Sequence, residues 1–177
     1  VKLLLVMALY ANNGRELSPH HGFAAHTNVI RPVSRGSVRL ASANPLDAPL
    51  IDQNYLASAD DWRIARAAVR TAREVFAQKA FDALRGEELE PGPGIRSDAE
   101  IDAFIRARAE ADYHSVGTCR TGQDELAVVD ERLRVRGLDG LRVVDASVIP
   151  HMIGGNTGMP VIMIAEKAAD MIRNHQG

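Results

Sequence analysis

The chain has 177 residues, 46% of them apolar and 25% charged, with a formal net charge of −2 at pH 7. This length and composition suit one compact domain, 1–177, with enough chain to bury a core, and the near-neutral balance argues against nucleic acid or an anionic membrane surface as partner. No run of about 18 apolar residues marks a membrane-spanning helix; the single Cys119 excludes an internal disulfide and a multi-cysteine metal site, which makes a reducing, cytoplasmic setting the default expectation.

Residues 1–10 are apolar but lack the basic start and small-residue cleavage site of a signal peptide, so they read as a buried strand or as a segment of a longer chain. Residues 11–22, with Asn12-Asn13-Gly14 and Pro19, read as loop. Val29, Ile30 and Val33, then Val38 and Leu40, predict two strands joined in a hairpin at Ser34-Arg35-Gly36. A turn-rich link with Asn44-Pro45 and Pro49 follows.

Ser58 with Asp61 three residues on is close to a capping box. Beyond it, Trp62, Ala65, Val69, Ala72 and Phe76 recur at steps of three and four, which predicts a long amphipathic helix. Arg63, Arg66, Arg70 and Arg73 fall mostly on its wet side. Residues 86–94 form a linker. Ser97 with Glu100 is a full capping box for a second helix carrying Ile101, Phe104 and Ile105, whose apolar face is cut short at Arg108. Short strands are predicted at 128–129, 133–135 and 141–144. A last helix begins near Pro160, and its first turn (Val161, Ile162, Met163, Ile164, Ala165) is apolar all round and expected to be buried on every side.

Among residues able to carry chemistry, His114 stands in Tyr113-His114-Ser115-Val116-Gly117-Thr118-Cys119-Arg120. A satisfied structural histidine is the plain reading. Yet Gly117 permits a tight backbone path beside the ring, and a neutral imidazole is the commonest general base. Asn156 stands in Gly154-Gly155-Asn156-Thr157-Gly158-Met159-Pro160. It suits a helix start and equally an amide aimed at a substrate oxygen, beside backbone N–H groups with partial positive charge. Asp145 closes an apolar stretch ahead of Ala146-Ser147, where it either caps a turn or accepts from a ligand hydroxyl. His20, His21 and His26 lack a matching acidic motif and read as loop histidines, so no metal is expected. Gly92-Pro93-Gly94 follows a linker rather than a strand and is no dinucleotide fingerprint.

Four stretches, 31–40, 51–56, 113–122 and 141–170, resemble the C-terminal region of the glucose–methanol–choline (GMC) family of flavin oxidoreductases. The likeness is nearest to choline-dehydrogenase-like and alcohol-dehydrogenase-like members. It implies an α+β fold, an antiparallel sheet flanked by helices, forming a substrate-binding domain. It further implies oxidation of a primary alcohol to an aldehyde with hydride passing to FAD. By position, His114 matches the family's base and Asn156 its second active-site residue. Asp145 and Ala146 match positions near the flavin's ribityl–pyrophosphate region, while Asn156, Thr157 and Pro160 match positions at the isoalloxazine ring. Ser115 replaces a common proline and Thr121 a usual methionine. The family's Gly-x-Gly-x-x-Gly turn, which holds the FAD diphosphate, has no counterpart in this sequence. The expected partners are therefore an N-terminal FAD-binding domain, against which 141–177 would pack, and a small alcohol. The chain alone is expected to be inert and to bind FAD weakly or not at all. Two alternatives are a free-standing subunit that complements a separate FAD half, and a cyanohydrin-lyase-like member that transfers no hydride.

Overall fold

The computed structural model of the chain describes residues 1–11 and 16–174. It divides into two compact units, each made of two stretches: Val1–Ser34 with Tyr55–Asp112, and Arg35–Asn54 with Tyr113–Gly177. The architecture is α+β. Among the described residues, three α-helices accompany three two-stranded antiparallel sheets.

In the first unit, β1 (Lys2–Val6) pairs antiparallel with β4 (Ala24–Asn28), running from Lys2 opposite Asn28 to Val6 opposite Ala24. β2 (Tyr10–Ala11) and β3 (Glu16–Leu17) form a second ribbon. Leu4 and Leu5 of β1 are about half exposed, so the strand is not the buried one its composition suggests. Asn12-Asn13-Gly14 lies outside the described residues.

The predicted helix is α1 (Ala59–Phe76), capped by Ser58, whose side chain accepts from the Asp60 amide. It buries Ala68 and Val69 and half-buries Trp62, Ala65, Ala72 and Phe76. α2 (Asp98–Arg108) starts at the predicted capping box: Ser97 accepts from the Glu100 amide while the Glu100 carboxylate accepts from the Ser97 amide. The core of this unit is Val69, Ile101 and Ile105, flanked by Leu56, Trp62, Ala65, Ile95 and Phe104. Arg66 grips Asp102 with two bonds of 2.6 and 3.0 Å, tying α1 to α2. Arg73 is not on the wet side. It bonds Glu88, the Ile95 carbonyl and the Gly92 carbonyl, so it straps the 86–95 linker onto α1.

Glu100 gives the unit an acid dependence. Backbone N–H bonds from Arg96 and Ser97, then the Ser97 hydroxyl, stabilise the charged form and bring its pKa from 4.5 down to about 2. The folded value lies below the unfolded one, so the bonus is complete above pH 4.5 and is lost as pH falls through about 2. The stability gap between wild type and Glu100→Gln should therefore shrink steadily on acidification over that window. A gap that does not change with pH in urea melts would contradict it.

The hairpin predicted across 34–36 does not form. The Val33 and Ser34 amides are held by Asp61 at 2.8 and 2.9 Å, so they are not available for a strand ladder. Instead, in the second unit, β5 (Ser37–Arg39) pairs with β6 (Leu50–Asp52). The connection is turned by side chains: the Ser42 hydroxyl donates to Asp47 at 2.5 Å and the Asn44 side-chain Nδ2 donates to Asp47 at 2.9 Å. Gly36 is required at its place, since a Cβ there would come within 2.1 Å of the Asp52 carbonyl oxygen.

The rest of the second unit is mostly irregular backbone around a small core of Val129, Leu133, Val148 and Ala168, with Val128, Val135, Val143, Val144 and Ile164 packed against it. The strands predicted at 128–129, 133–135 and 141–144 reduce to single bridges, Val129 with Val135 and Arg134 with Arg142. Leu133, in the left-handed region at φ 61°, turns the chain before a ladder extends. α3 (Gly158–Arg173) closes the unit and contributes Ile164 and Ala168, one turn apart, to the core. The apolar stretch 161–165 departs from expectation: Ile162 and Met163 are 55% and 65% exposed, and Met159 just before it is 75% exposed.

Candidate active site

The second unit places the His114 segment beside the segment that leads into α3. The Gly117 and Cys119 amides donate to the Ser147 carbonyl at 3.1 and 3.0 Å, and the Thr121 amide to the Val148 carbonyl at 2.9 Å. Gly117 has φ +94° and passes the Ile149 carbonyl so closely that a Cβ would lie 3.6 Å from its oxygen. The left-handed conformation, rather than space, is what favours glycine here. Tyr113, just before the histidine, is also left-handed at φ 55°, an uncommon conformation for a bulky residue, and its side chain is 85% exposed.

The half-buried His114 ring meets Thr157, with Nδ1 2.9 Å from Thr157 Oγ1. The Thr157 amide also points at Nδ1, at 3.5 Å. Thr157 is buried and adjoins the exposed residue Asn156. Folding has thus brought two motifs more than forty residues apart together at the start of α3. Thr157 sits at the N-cap position but makes no side-chain cap bond, because its hydroxyl is on the histidine. Pro160 lies in the first turn of α3, where the missing N–H costs the helix nothing.

Asp145 and Ala146 occupy a tight corner. The exposed Asp145 caps a short 3₁₀ turn, Ala146–Val148, by accepting from the Ser147 amide at 2.7 Å. That is the turn-capping use of an aspartate. The Ser147 hydroxyl is buried and has no hydrogen-bond partner among the described residues. Nearby, Arg120 pairs with Asp124 and holds its carboxyl well below the usual carboxylate range. His26 lies on β4 rather than in a loop. A hollow of about 440 Å³ is lined by residues from Asp130 to Arg142 and does not include His114 or Asn156. The half-buried His114 and the buried Thr157 lie at the start of α3, whose Met159, Ile162 and Met163 are exposed.

The second unit thus holds a tethered histidine at the start of α3, directly after an asparagine. The GMC oxidoreductase family model matches residues 32–165. The chain belongs to the GMC oxidoreductase family. It is 53% identical over 164 residues to the oxygen-dependent choline dehydrogenase of Burkholderia orbicola (strain MC0-3), covering 93% of this chain and 29% of that protein. Among solved structures it is similar to pyridoxine 4-oxidase from Mesorbium loti, at 37% identity and TM-score 0.76, over 84% of this chain and 28% of that one. It is also similar to a variant of formate oxidase from Aspergillus oryzae RIB40, at 31% identity and TM-score 0.83, over 91% of this chain and 29% of that one. The chain spans less than a third of the length of these relatives.

Sequence reasoning missed Thr157 as the partner of His114; it was assigned only to the cofactor side. The available signal was weak, since a threonine after Gly-Gly-Asn reads first as a helix cap.

Proposed function

We propose that this chain is the substrate-side part of an FAD-dependent oxidoreductase that converts a primary alcohol, choline or a similar small alcohol, to an aldehyde. The observation that carries the reading is the His114–Thr157 contact at the start of α3, one residue beyond Asn156 in the chain. The relatives named choline dehydrogenase and pyridoxine 4-oxidase support the reaction class.

The residues present fit a flavin. The start of α3 has no side-chain cap, which suits an electron-rich ring edge through its first-turn amides and partial positive charge. The exposed Met159, Ile162 and Met163 offer apolar cover to a planar ring or to the domain that carries it. Asn156, Thr157 and Pro160 would lie at the isoalloxazine, and Asp145 and Ala146 toward the ribityl–pyrophosphate. FAD held there would supply the acceptor for the hydride of the carbinol carbon. His114 takes the hydroxyl proton of the alcohol at the ring nitrogen that faces away from Thr157. The Asn156 carboxamide donates to the same oxygen and holds it in place. An FAD-binding domain completes the site, packing on 141–177, where the apolar turn of α3 awaits cover.

In the protein that joins this chain to an FAD-binding domain, choline or another primary alcohol added without oxygen should bleach the flavin absorbance. A flavin that keeps its oxidised spectrum with every alcohol tried, in a properly loaded protein, would refute the reaction class.

A further inference from the structure

Thr157 occupies a position where a threonine ordinarily caps a helix, yet its hydroxyl does not serve the helix. Its backbone is in the right-handed helical region, φ −85° and ψ −12°, rather than the extended conformation from which an N-cap side chain reaches forward. The residue is 6% exposed, and a buried hydroxyl needs a partner. The partner it has is His114 Nδ1, at 2.9 Å.

We propose that Thr157 is the positioning residue for His114: its hydroxyl accepts from Nδ1–H, holds the neutral ring in that tautomer and leaves Nε2 as the nitrogen that takes the proton. The proposal rests on the reading of His114 as base. An imidazole is useful as a base at one nitrogen only when the other carries the hydrogen, and the bond made by that other nitrogen selects the tautomer. A hydroxyl is suited to the task because it accepts from Nδ1–H both before and after Nε2 gains a proton. One group opposes this arrangement. The Thr157 amide is also aimed at Nδ1 and, being only a donor, favours the opposite tautomer. It stands at 3.5 Å, outside the usual range for a good N–H bond, whereas the hydroxyl at 2.9 Å lies within it. The hydroxyl at 2.9 Å can donate or accept and so fits either tautomer; Nδ1–H is the one that leaves Nε2 free to act as the base, and the long amide contact is the weaker, opposing bond.

The test reads the ring itself. In long-range ¹H–¹⁵N spectra of the FAD-loaded protein with labelled histidine, His114 is assigned by the signals that vanish in His114→Gln. The expected result at neutral pH is a protonated, pyrrole-type Nδ1 and a bare, pyridine-type Nε2. Thr157→Ser should keep that pattern, and Thr157→Val should return the ring to the ordinary solution preference for Nε2–H. A wild-type His114 with the hydrogen on Nε2 would overturn the proposal, with no variant required should Thr157→Val fail to fold. So would a Thr157→Val spectrum identical to wild type. In the FAD-loaded protein, Thr157→Val should lower kcat roughly 10–10²-fold with the serine variant restoring most of it, the scale expected of a misplaced catalytic group. Failure of the broader reading looks different: the tautomer stands as described, but alcohols do not bleach the flavin.

Discussion

In the FAD-loaded protein, His114→Ala is expected to lower kcat roughly 10²–10⁴-fold, the usual contribution of a positioned general base, with flavin content unchanged. The two halves of this expectation have separate structural grounds. The half-buried ring touches the buried Thr157 and belongs to neither hydrophobic core, so its removal leaves Val129, Leu133, Val148 and Ala168 packed as before. What is lost is the acceptor for the alcohol proton. Asn156→Ala should cost about 10²-fold, on the scale of one hydrogen-bond donor to an oxygen that gains charge in the transition state. Flavin absorbance and steady-state turnover on one purified sample check both. Turnover within ten-fold of wild type for His114→Ala would remove the residue from the mechanism.

The second large effect concerns stability. Asp61→Ala is expected to destabilise the first unit by about 3–5 kcal/mol, because a buried charged acceptor is removed and its donors are left without it. Asp61 is 1% exposed and accepts from the Val33 amide, the Ser34 amide and the Ser34 hydroxyl at 2.8, 2.9 and 2.5 Å. The same Ser34 hydroxyl accepts from the Ser58 amide at 3.0 Å, so the network also anchors the start of α1. Asp61→Asn should fall between, since one amide oxygen still accepts while the NH₂ group faces donors. Trp62, the chain's single tryptophan, adjoins Asp61 on α1 and reports the transition in urea melts followed by fluorescence. A loss of less than about 1 kcal/mol would mean that water replaces the carboxylate without difficulty.

Asp61 also shows where local reasoning stopped. The residue was legible as a near-capping-box acid after Ser58, and Ser58 is indeed the cap. But Asp61 precedes Ala65 and Ala68 by four and seven residues, which sets it on the buried stripe of α1 rather than at its wet end. An acid on an apolar stripe was the sign of a distant partner, and nothing local identifies that partner as the backbone at 33–34. The failed hairpin is the same event seen from the other side. Once Asp61 takes those amides, Val38 pairs with Ile51 instead of with Val29 or Ile30. The exposed start of α3 is a different case. Its all-round apolar pattern was read correctly, and the burial it calls for is not met by the side chains of its own unit.

What the sequence determined by itself is what short-range chemistry controls. The two capped helices follow from Ser58 and from Ser97 with Glu100, the third from an apolar run opened by Pro160, and the turn at Gly117 from its need for a left-handed backbone. The motifs around His114 and Asn156 were likewise legible, because they are contiguous in the chain. The tertiary structure alone decided which strands pair, where Asp61 and Arg73 turn, and that Thr157 gives its hydroxyl to His114 instead of to its helix. The physical reason is common to all three. A side-chain hydrogen bond selects among partners that are close in space, and no residue carries in its own neighbourhood the address of a partner 22 to 43 positions away.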